Sequence, residues 1–202
     1  VDPRDSGFAK EVRSGVLRAG SLVDSHVMDV ALSWLAARVK DRRPFFLQIS
    51  FQSSHFPYNI PETCPRPFQP AEIDFDASFT DYPLEKVPIV RNAYYNALHE
   101  SDRQLGRLIE ALTAAGLLDN TLLAVMGENG EAFHENGVVS HAGPPMEPAV
   151  RVALVMHGPG LVQPAVEDYP VELVDVTPTA LGLLGYDAHP NFQGINVLSS
   201  RR

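Results

Sequence analysis

Three short apolar runs most constrain how this chain can fold. They are FFLQISF at 45–51, TLLAVMG at 121–127 and RVALVMHGPG at 151–160. Each run is continuous rather than alternating, which is typical of strands covered on both faces. Because segments with helical periodicity separate the runs, the pattern predicts an α/β fold with a mostly parallel central sheet flanked by helices.

The segments between and after these runs are predicted to be helical or irregular. Apolar residues recur at helical spacing in 24–40 and in 91–115, and Gly116 is placed to end the second helix. A strand-like start followed by a short helix is predicted within 171–185. The proline-rich residues 52–90 show little periodicity, so they predict a long irregular segment, a kind of excursion that is often functional.

Charge and composition exclude several classes of protein. The net charge of −9 argues against a nucleic-acid partner but leaves a small anionic substrate possible. No apolar run reaches the roughly 18 residues of a membrane-spanning helix. The single cysteine, Cys64, excludes an internal disulfide. It lies in proline-rich sequence with no base nearby in sequence, which argues against a nucleophilic role.

Polar side chains follow two of the predicted strands. His55 comes after the first strand, and Glu128 and Asn129 come directly after the second, with His141 further along the same loop. In open α/β sheets, ligands bind outside the carboxyl ends of the strands. If the two strands are neighbours, His55, Glu128 and Asn129 are expected to converge at one edge of the sheet.

These residue types suit metal-assisted chemistry on an anionic ester. A carboxylate beside a carboxamide offers the oxygen ligands that Ca²⁺ and Mg²⁺ prefer, although two ligands cannot hold a metal by themselves. A nearby histidine suits a sulfate or phosphate group, or protonation of its leaving group. The same residues are also typical of a solvated turn and of a loop histidine bonded to backbone, and the residue types alone leave both readings open.

Longer motifs resemble the sulfatase branch of the alkaline-phosphatase-like superfamily. The segment RRPFFLQISFQSSHFPYNIP resembles the strand and His-x-Pro-Tyr loop of that family. The segment from NAYYNALHESD to GENGEAFHENG resembles its long helix and the strand that ends at the metal. SHAGPPMEPAVRVALVMHGPG and VELVDVTPTALGLLGYDAHPNFQGINVL resemble the parts that follow, so the resemblance covers roughly residues 24–198 in the family's order.

The resemblance implies a role for each candidate residue. Glu128 and Asn129 fall at the family's late pair of metal ligands, for a metal most often Ca²⁺, with Mg²⁺ or Mn²⁺ as alternatives. His55 falls at a substrate-contacting position. His141 falls at the histidine that contacts the transferring group near the leaving oxygen, so both histidines are candidates for substrate binding and catalysis.

Two departures from the family pattern qualify these roles. Glu128 stands where the family has aspartate, and the extra methylene moves the carboxylate outward by more than about an ångström at a metal whose distances are narrowly fixed. The nucleophile motif, Cys or Ser in Cys/Ser-x-Pro-x-Arg, is not found in the chain. Residues 1–202 are therefore expected to be the C-terminal part of a catalytic domain, with formylglycine in a missing N-terminal part and no activity of the fragment alone.

Three functions follow as expectations. The first is a sulfatase that hydrolyses a sulfate ester with a divalent metal. The second is a phosphatase, phosphodiesterase or phosphoglycerol-type transferase of the same superfamily, and the third is a non-catalytic sulfatase-like binding module. By analogy with relatives, the protein is expected to be exported or membrane-tethered.

Overall fold

A computed structural model describes residues 23–41, 43–160 and 164–199. The described residues divide into two units. Unit 1 contains the chain up to Leu118 together with Glu131–Ala149, and unit 2 contains Asp119–Gly130 together with the chain from Val150 onward. The chain thus leaves unit 2 after Gly130 and returns to it at Val150, so each unit is built from two stretches of sequence.

The secondary structure is mainly helical. The helices are α1 (Asp24–Asp41), α2 (Val87–Ala114), α3 (Glu147–Val150) and α4 (Val176–Leu183), and the strands are β1 (Leu123–Met126) and β2 (Leu154–His157). Short 3₁₀ turns occupy Leu84–Lys86, Leu118–Asn120, Glu135–Gly137 and Leu173–Asp175. Within the described ranges, no helix is both long and apolar enough to cross a membrane.

The two long helices predicted from periodicity are both present in unit 1. Helix α2 ends just before Gly116, whose φ of 66° is the left-handed value that favours glycine after a helix. Its C-terminal half packs against α1 in a cluster of buried apolar side chains, namely Met28, Ala31, Leu35, Leu108 and Leu112. The N-terminal half of α2 contributes to a second cluster, which contains Tyr58, Tyr82, Val90, Ala93, Ala97 and Phe133.

Asp24, at the start of α1, ties that helix to the segment that carries His55. Its side chain is fully buried. One carboxylate oxygen accepts from the backbone N–H of Gln52 at 2.7 Å and of Ser53 at 3.0 Å. The other accepts from the hydroxyl of Ser101 on α2 at 2.5 Å. Since buried backbone N–H groups need a partner, Asp24 fixes the path of the chain just before the histidine.

Glu100 is a buried carboxylate on α2 with its own set of donors. It accepts from Arg103 Nε at 2.8 Å and from Gln104 Nε2 at 2.5 Å. Burial raises the pKa of the Glu100 carboxyl, but hydrogen bonds from Arg103, Gln104 and Cys64 outweigh burial and hold the pKa below its usual value. The carboxylate therefore stays charged and paired inside unit 1.

The sheet of unit 2 differs from the predicted one. Strands β1 and β2 pair antiparallel, with Leu123 opposite His157 and Met126 opposite Leu154, and no further sheet occurs among the described residues. The expectation of a mostly parallel sheet is therefore not met by these two strands. Val155 is 62% exposed, because a two-stranded antiparallel pair leaves a face uncovered.

Residues 45–51 do not form the predicted strand. They carry no strand assignment, and Phe46 is 80% exposed. A strand is completed only by backbone partners on another strand, and no described segment pairs with this one. Apolar sequence alone therefore predicted the wrong structure here, although Phe45 packs edge-to-face on Trp34 at 5.5 Å between ring centroids.

Helix α4 of unit 2 is fixed by the chain that follows it. Asp175, just before the helix, accepts from the backbone N–H of Ile195 at 2.8 Å. Thr179 Oγ1 accepts from the backbone N–H of Val197 at 3.1 Å. Gly194 lies close to the Leu173–Asp175 turn that precedes α4. A Cβ added at Gly194 would be 2.1 Å from the carbonyl oxygen of Val174. The residues that resemble the family's Asp-x-x-Pro-Thr helix thus serve to dock this returning segment.

Candidate functional site

His55 lies in a tight turn of unit 1. The backbone N–H of Tyr58 donates to the carbonyl of His55 at 2.8 Å. His55 Nδ1 donates to the carbonyl of Phe56, also at 2.8 Å. Because Nδ1 is used by the turn, Nε2 is the ring nitrogen that remains for a ligand. The side chain is exposed, so a ligand can reach it.

His141 is presented by a loop with a fixed backbone. Ala132 and Ser140 exchange two backbone hydrogen bonds, at 3.3 and 2.8 Å, immediately before the histidine. Ser140 is buried and has a φ of 62°, and Tyr58 in the His55 turn has the same value. Left-handed backbone is uncommon outside glycine and concentrates at functional sites. One such residue directly precedes His141, and the other lies three residues after His55.

The structure brings the two histidines together around Phe79. The ring centroids of His55 and His141 are 6.0 Å apart at an interplanar angle of 77°. Phe79 stacks on His55 at 5.6 Å and 4°, and meets His141 edge-to-face at 5.0 Å. We refer to His55, Phe79 and His141 as the ring cluster. The cluster places two imidazoles next to one apolar ring. The imidazoles suit an anionic group, and the ring of Phe79 suits an organic substituent on that group.

Glu131 supports the ring cluster from below the surface. Its side chain is 6% exposed and its Oε2 lies 2.9 Å from His141 Nδ1. Its Oε1 accepts from the hydroxyl of Tyr58 at 2.8 Å. Each carboxylate oxygen thus has a donor, as a buried acid requires.

Phenols surround this carboxylate. Burial, and then the charge of Glu131, raise the pKa of Tyr58 and of Tyr94. Burial and the same charge raise the pKa of Tyr82 to about 12. The three hydroxyls therefore stay protonated at neutral pH, and Tyr58 acts as a hydrogen-bond donor to Glu131 rather than as a base.

Glu128 and Asn129 lie in unit 2, just after β1, and both are exposed. Asn129 Nδ2 donates to the carbonyl of Gly130 at 2.8 Å, which leaves the carboxamide oxygen as the atom available to a cation. The donor chemistry fits a hard divalent metal. The described residues contain no cluster of three or more His, Cys, Asp or Glu side chains arranged to hold an ion, so this pair could supply only part of a coordination shell.

The structure brings two of the four candidate residues together. His55 and His141 meet in unit 1, whereas Glu128 and Asn129 belong to unit 2, so convergence of His55 with Glu128 and Asn129 stays a prediction, as do the roles of all four residues. His55 does not follow a strand, because the segment before it forms none.

Cys64 is buried, and burial together with Glu100 raises the pKa of its thiol, which disfavours the thiolate that a nucleophile needs.

Sequence reasoning missed three residues of this site: Glu131, Tyr58 and Phe79. Their contacts join positions far apart in the chain, since Tyr58 and Glu131 are separated by 73 residues. One available signal was the position of Glu131, an acid two residues after the Glu-Asn pair in GENGE.

Comparison with known proteins identifies relatives. The family model described as Sulfatase matches residues 2–186. An endo-4-O-sulfatase of Bacteroides thetaiotaomicron is 27% identical over 71% of this chain and 29% of its own length. A choline-sulfatase of Rhizobium meliloti is 29% identical over 79% of this chain and 36% of its own length. The chain thus spans about a third of the length of these curated relatives.

Solved structures show the same fold. The yidJ protein of Bacteroides fragilis, named as a sulfatase, has a TM-score of 0.70 at 20% identity and covers 88% of this chain and 40% of its own. The lipoteichoic acid synthase LtaP of Listeria monocytogenes has a TM-score of 0.56 at 22% identity and covers 87% of this chain and 42% of its own. The helices and small sheet described above therefore form part of an alkaline-phosphatase-like fold. With a family match over most of its length, the chain belongs to the sulfatase family.

Proposed function

We propose that the protein hydrolyses a sulfate ester and that this chain supplies the substrate-binding histidines and part of the metal shell. The observation that carries the proposal is the meeting of His55 and His141 at 6.0 Å between ring centroids. Relatives that match this chain bear the names of sulfatases, which supports sulfate as the group that is transferred. The substrate is a small anionic ester.

Each histidine has a separate task in this proposal. His55 holds the sulfate group through Nε2, since its Nδ1 is bonded to the backbone of its own turn. His141 acts through Nε2 at the leaving oxygen, because its Nδ1 faces Glu131. In the protonated ring, Nε2–H gives its proton to the departing alkoxide, so the alcohol leaves neutral. Phe79 stacks on the ring of His55 and meets the ring of His141 edge-to-face, so it offers an apolar surface to the organic part of the ester.

Glu128 and Asn129 would be metal ligands in the same proposal. Their oxygen donors suit Ca²⁺, with Mg²⁺ or Mn²⁺ as the alternatives. A divalent cation held by this pair would supply the positive charge that metal-assisted hydrolysis of a sulfate ester uses. The nucleophile, a formylglycine in the family pattern, would come from outside the 202 residues, and the chain by itself is expected to be inactive.

A second candidate is phosphoryl transfer. A lipoteichoic acid synthase shares the fold, and the ring cluster would suit a phosphate group as well as a sulfate group. A third candidate, a binding module without activity, is supported by the glutamate at position 128, where the family has aspartate. Matched substrates and a metal titration distinguish the three candidates.

The proposed function predicts preference for sulfate over phosphate. We expect the longest natural form of the protein to cleave 4-nitrophenyl sulfate with a higher kcat/KM than 4-nitrophenyl phosphate. We expect His141→Ala to lower kcat/KM for the sulfate roughly 10²-fold, because a positioned proton donor contributes about that much or more. An equal melting temperature of the two proteins serves as the control for folding. Preference for the phosphate ester would support the second candidate instead.

The metal assignment predicts stabilisation by calcium. A ligand that binds only the folded state raises stability by about 2.7 kcal/mol at 100 times its Kd, so we expect the melting temperature to rise with Ca²⁺ concentration. The Glu128→Ala variant is expected to lose this rise at the same concentrations. A rise that persists in the variant would place the metal at other residues. No rise in the wild type, together with no turnover of either ester, would support the binding module.

A further inference from the structure

Glu131 is the one buried acid in contact with a residue of the ring cluster among the described residues. Its two oxygens face donors from two different loops, His141 Nδ1 at 2.9 Å and the Tyr58 hydroxyl at 2.8 Å. The relatives and the family resemblance assign it no role. A buried carboxylate is costly unless it is paired, and an apolar residue of similar size often serves stability as well. Its presence here calls for a reason beyond packing.

The contact with Glu131 determines which nitrogen of the His141 imidazole carries the proton. A carboxylate oxygen only accepts hydrogen bonds, so the 2.9 Å contact with Glu131 requires the hydrogen to be on Nδ1. In the neutral ring, Nε2 then carries the lone pair. The hydrogen bond that one ring nitrogen makes determines the state of the other. Glu131 thereby selects one tautomer of His141 and turns Nε2 away from itself.

Glu131 also connects the two histidines through Tyr58. Tyr58 closes the turn of His55 through its backbone N–H and contacts Glu131 through its hydroxyl. Glu131 therefore bridges the loop of His141 and the turn of His55 with a single side chain. Because burial and the charge of Glu131 raise the pKa of the Tyr58 phenol, this bridge keeps its hydrogen bond at neutral and moderately alkaline pH. The contacts of Glu131 with Tyr58 and His141 thus maintain the separation of the His55 and His141 rings.

We infer that Glu131 is a positioning residue, which fixes His141 in the tautomer with hydrogen on Nδ1 and holds its loop to the His55 turn through Tyr58. The role of His141 in catalysis, to which this arrangement contributes, rests on the proposed function. The tautomer itself does not, because it is a property of the chain without substrate. Failure of the inference can therefore be separated from failure of the proposed function.

The test is nuclear magnetic resonance of the chain with ¹⁵N-labelled histidine, at a pH at which the ring is neutral. Long-range proton–nitrogen correlations distinguish hydrogen on Nδ1 from hydrogen on Nε2. We expect the wild-type chain to show His141 with hydrogen on Nδ1. Hydrogen on Nε2 in the wild type would overturn the inference without any variant.

Three variants separate positioning from packing. We expect Glu131→Ala to lose the dominance of the Nδ1 tautomer. Glu131→Gln is expected to retain it, because a carboxamide oxygen still accepts from Nδ1, and Tyr58→Phe is expected to retain it because only the second oxygen loses its donor. An unchanged tautomer in Glu131→Ala would overturn the inference. If Glu131→Ala does not fold, loss of the tautomer in Glu131→Gln would overturn the inference, and its retention would support it.

Steady-state kinetics of the longest natural form of the protein measure what Glu131 contributes to catalysis. Glu131→Ala is expected to lower kcat for the sulfate ester about tenfold or more and to change KM little, because supporting partners of active-site histidines contribute on that scale. Glu131→Gln is expected to recover most of the loss. A kcat that is the same in wild type and Glu131→Ala would contradict the role in catalysis, while the tautomer measurement would still stand on its own.

Discussion

Replacement of Asp24 by alanine is expected to lower the free energy of unfolding by about 3–5 kcal/mol, because three hydrogen bonds to a buried charged acceptor are lost together. Two of the donors are the backbone N–H groups of Gln52 and Ser53. Among the hydrogen bonds of the described residues, the Asp24 carboxylate is their acceptor. Urea denaturation of the chain, followed by circular dichroism, measures the change. The variant is also expected to loosen the segment that leads to His55.

The matched control is Asp24→Asn. Oδ1 accepts from both backbone N–H groups, whereas Oδ2 accepts only from Ser101. Asparagine can keep the first oxygen and place its NH₂ toward the Ser101 hydroxyl, which can accept, so we expect a loss of only about 1 kcal/mol. Equal losses in the two variants would show that the charge, rather than the acceptor geometry, stabilises the start of α1.

Replacement of Gly194 by alanine is expected to destabilise unit 2 by about 3 kcal/mol, since overpacking against backbone forces the chain to move. The added Cβ would lie 2.1 Å from the carbonyl oxygen of Val174 and 2.8 Å from the backbone nitrogen of Asp175. Relief of that contact would displace the neighbouring Ile195, whose N–H donates to Asp175. Thermal unfolding monitored by near-ultraviolet circular dichroism, where Tyr186 and Phe192 contribute, detects the loss.

Gly106 provides the control for the same chemical change. It lies within α2, and an added Cβ would have no atom within 4 Å apart from its chain neighbours and the backbone of the helix itself. Alanine is therefore expected to stabilise the helix by about 0.5–1 kcal/mol, because glycine loses more backbone entropy. If both alanine variants were as stable as the wild type, this would contradict a close contact between Gly194 and the turn before α4.

Helices were predictable from this sequence because their hydrogen bonds are internal. The predicted range 24–40 became Asp24–Asp41, and 91–115 became Val87–Ala114. The strand predictions depended on partners that local sequence does not specify. Residues 121–127 form β1, whereas 45–51, which are just as apolar, form no strand at all. Strand order and direction were likewise beyond the reach of periodicity.

Part of the candidate site could be proposed from motifs. His55 and His141 were selected by resemblance to a family, and the structure places their ring centroids 6.0 Å apart, while their roles stay predictions. Glu131 and Phe79 were not identified, because their contacts depend on how loops return to one place. The metal role of Glu128 stays a prediction.

Helix α2 belongs to both core clusters of unit 1, and this has a consequence for how the protein can evolve. A helix of 28 residues extends about 42 Å at 1.5 Å per residue, so Leu108, beside α1, and Val90, beneath the tyrosines of the other cluster, are about 27 Å apart along it. Substitutions separated by that distance usually have additive effects on stability. Each cluster can therefore accept its own changes of side-chain volume without compensation in the other, and the two ends of one helix can diverge in sequence at different rates.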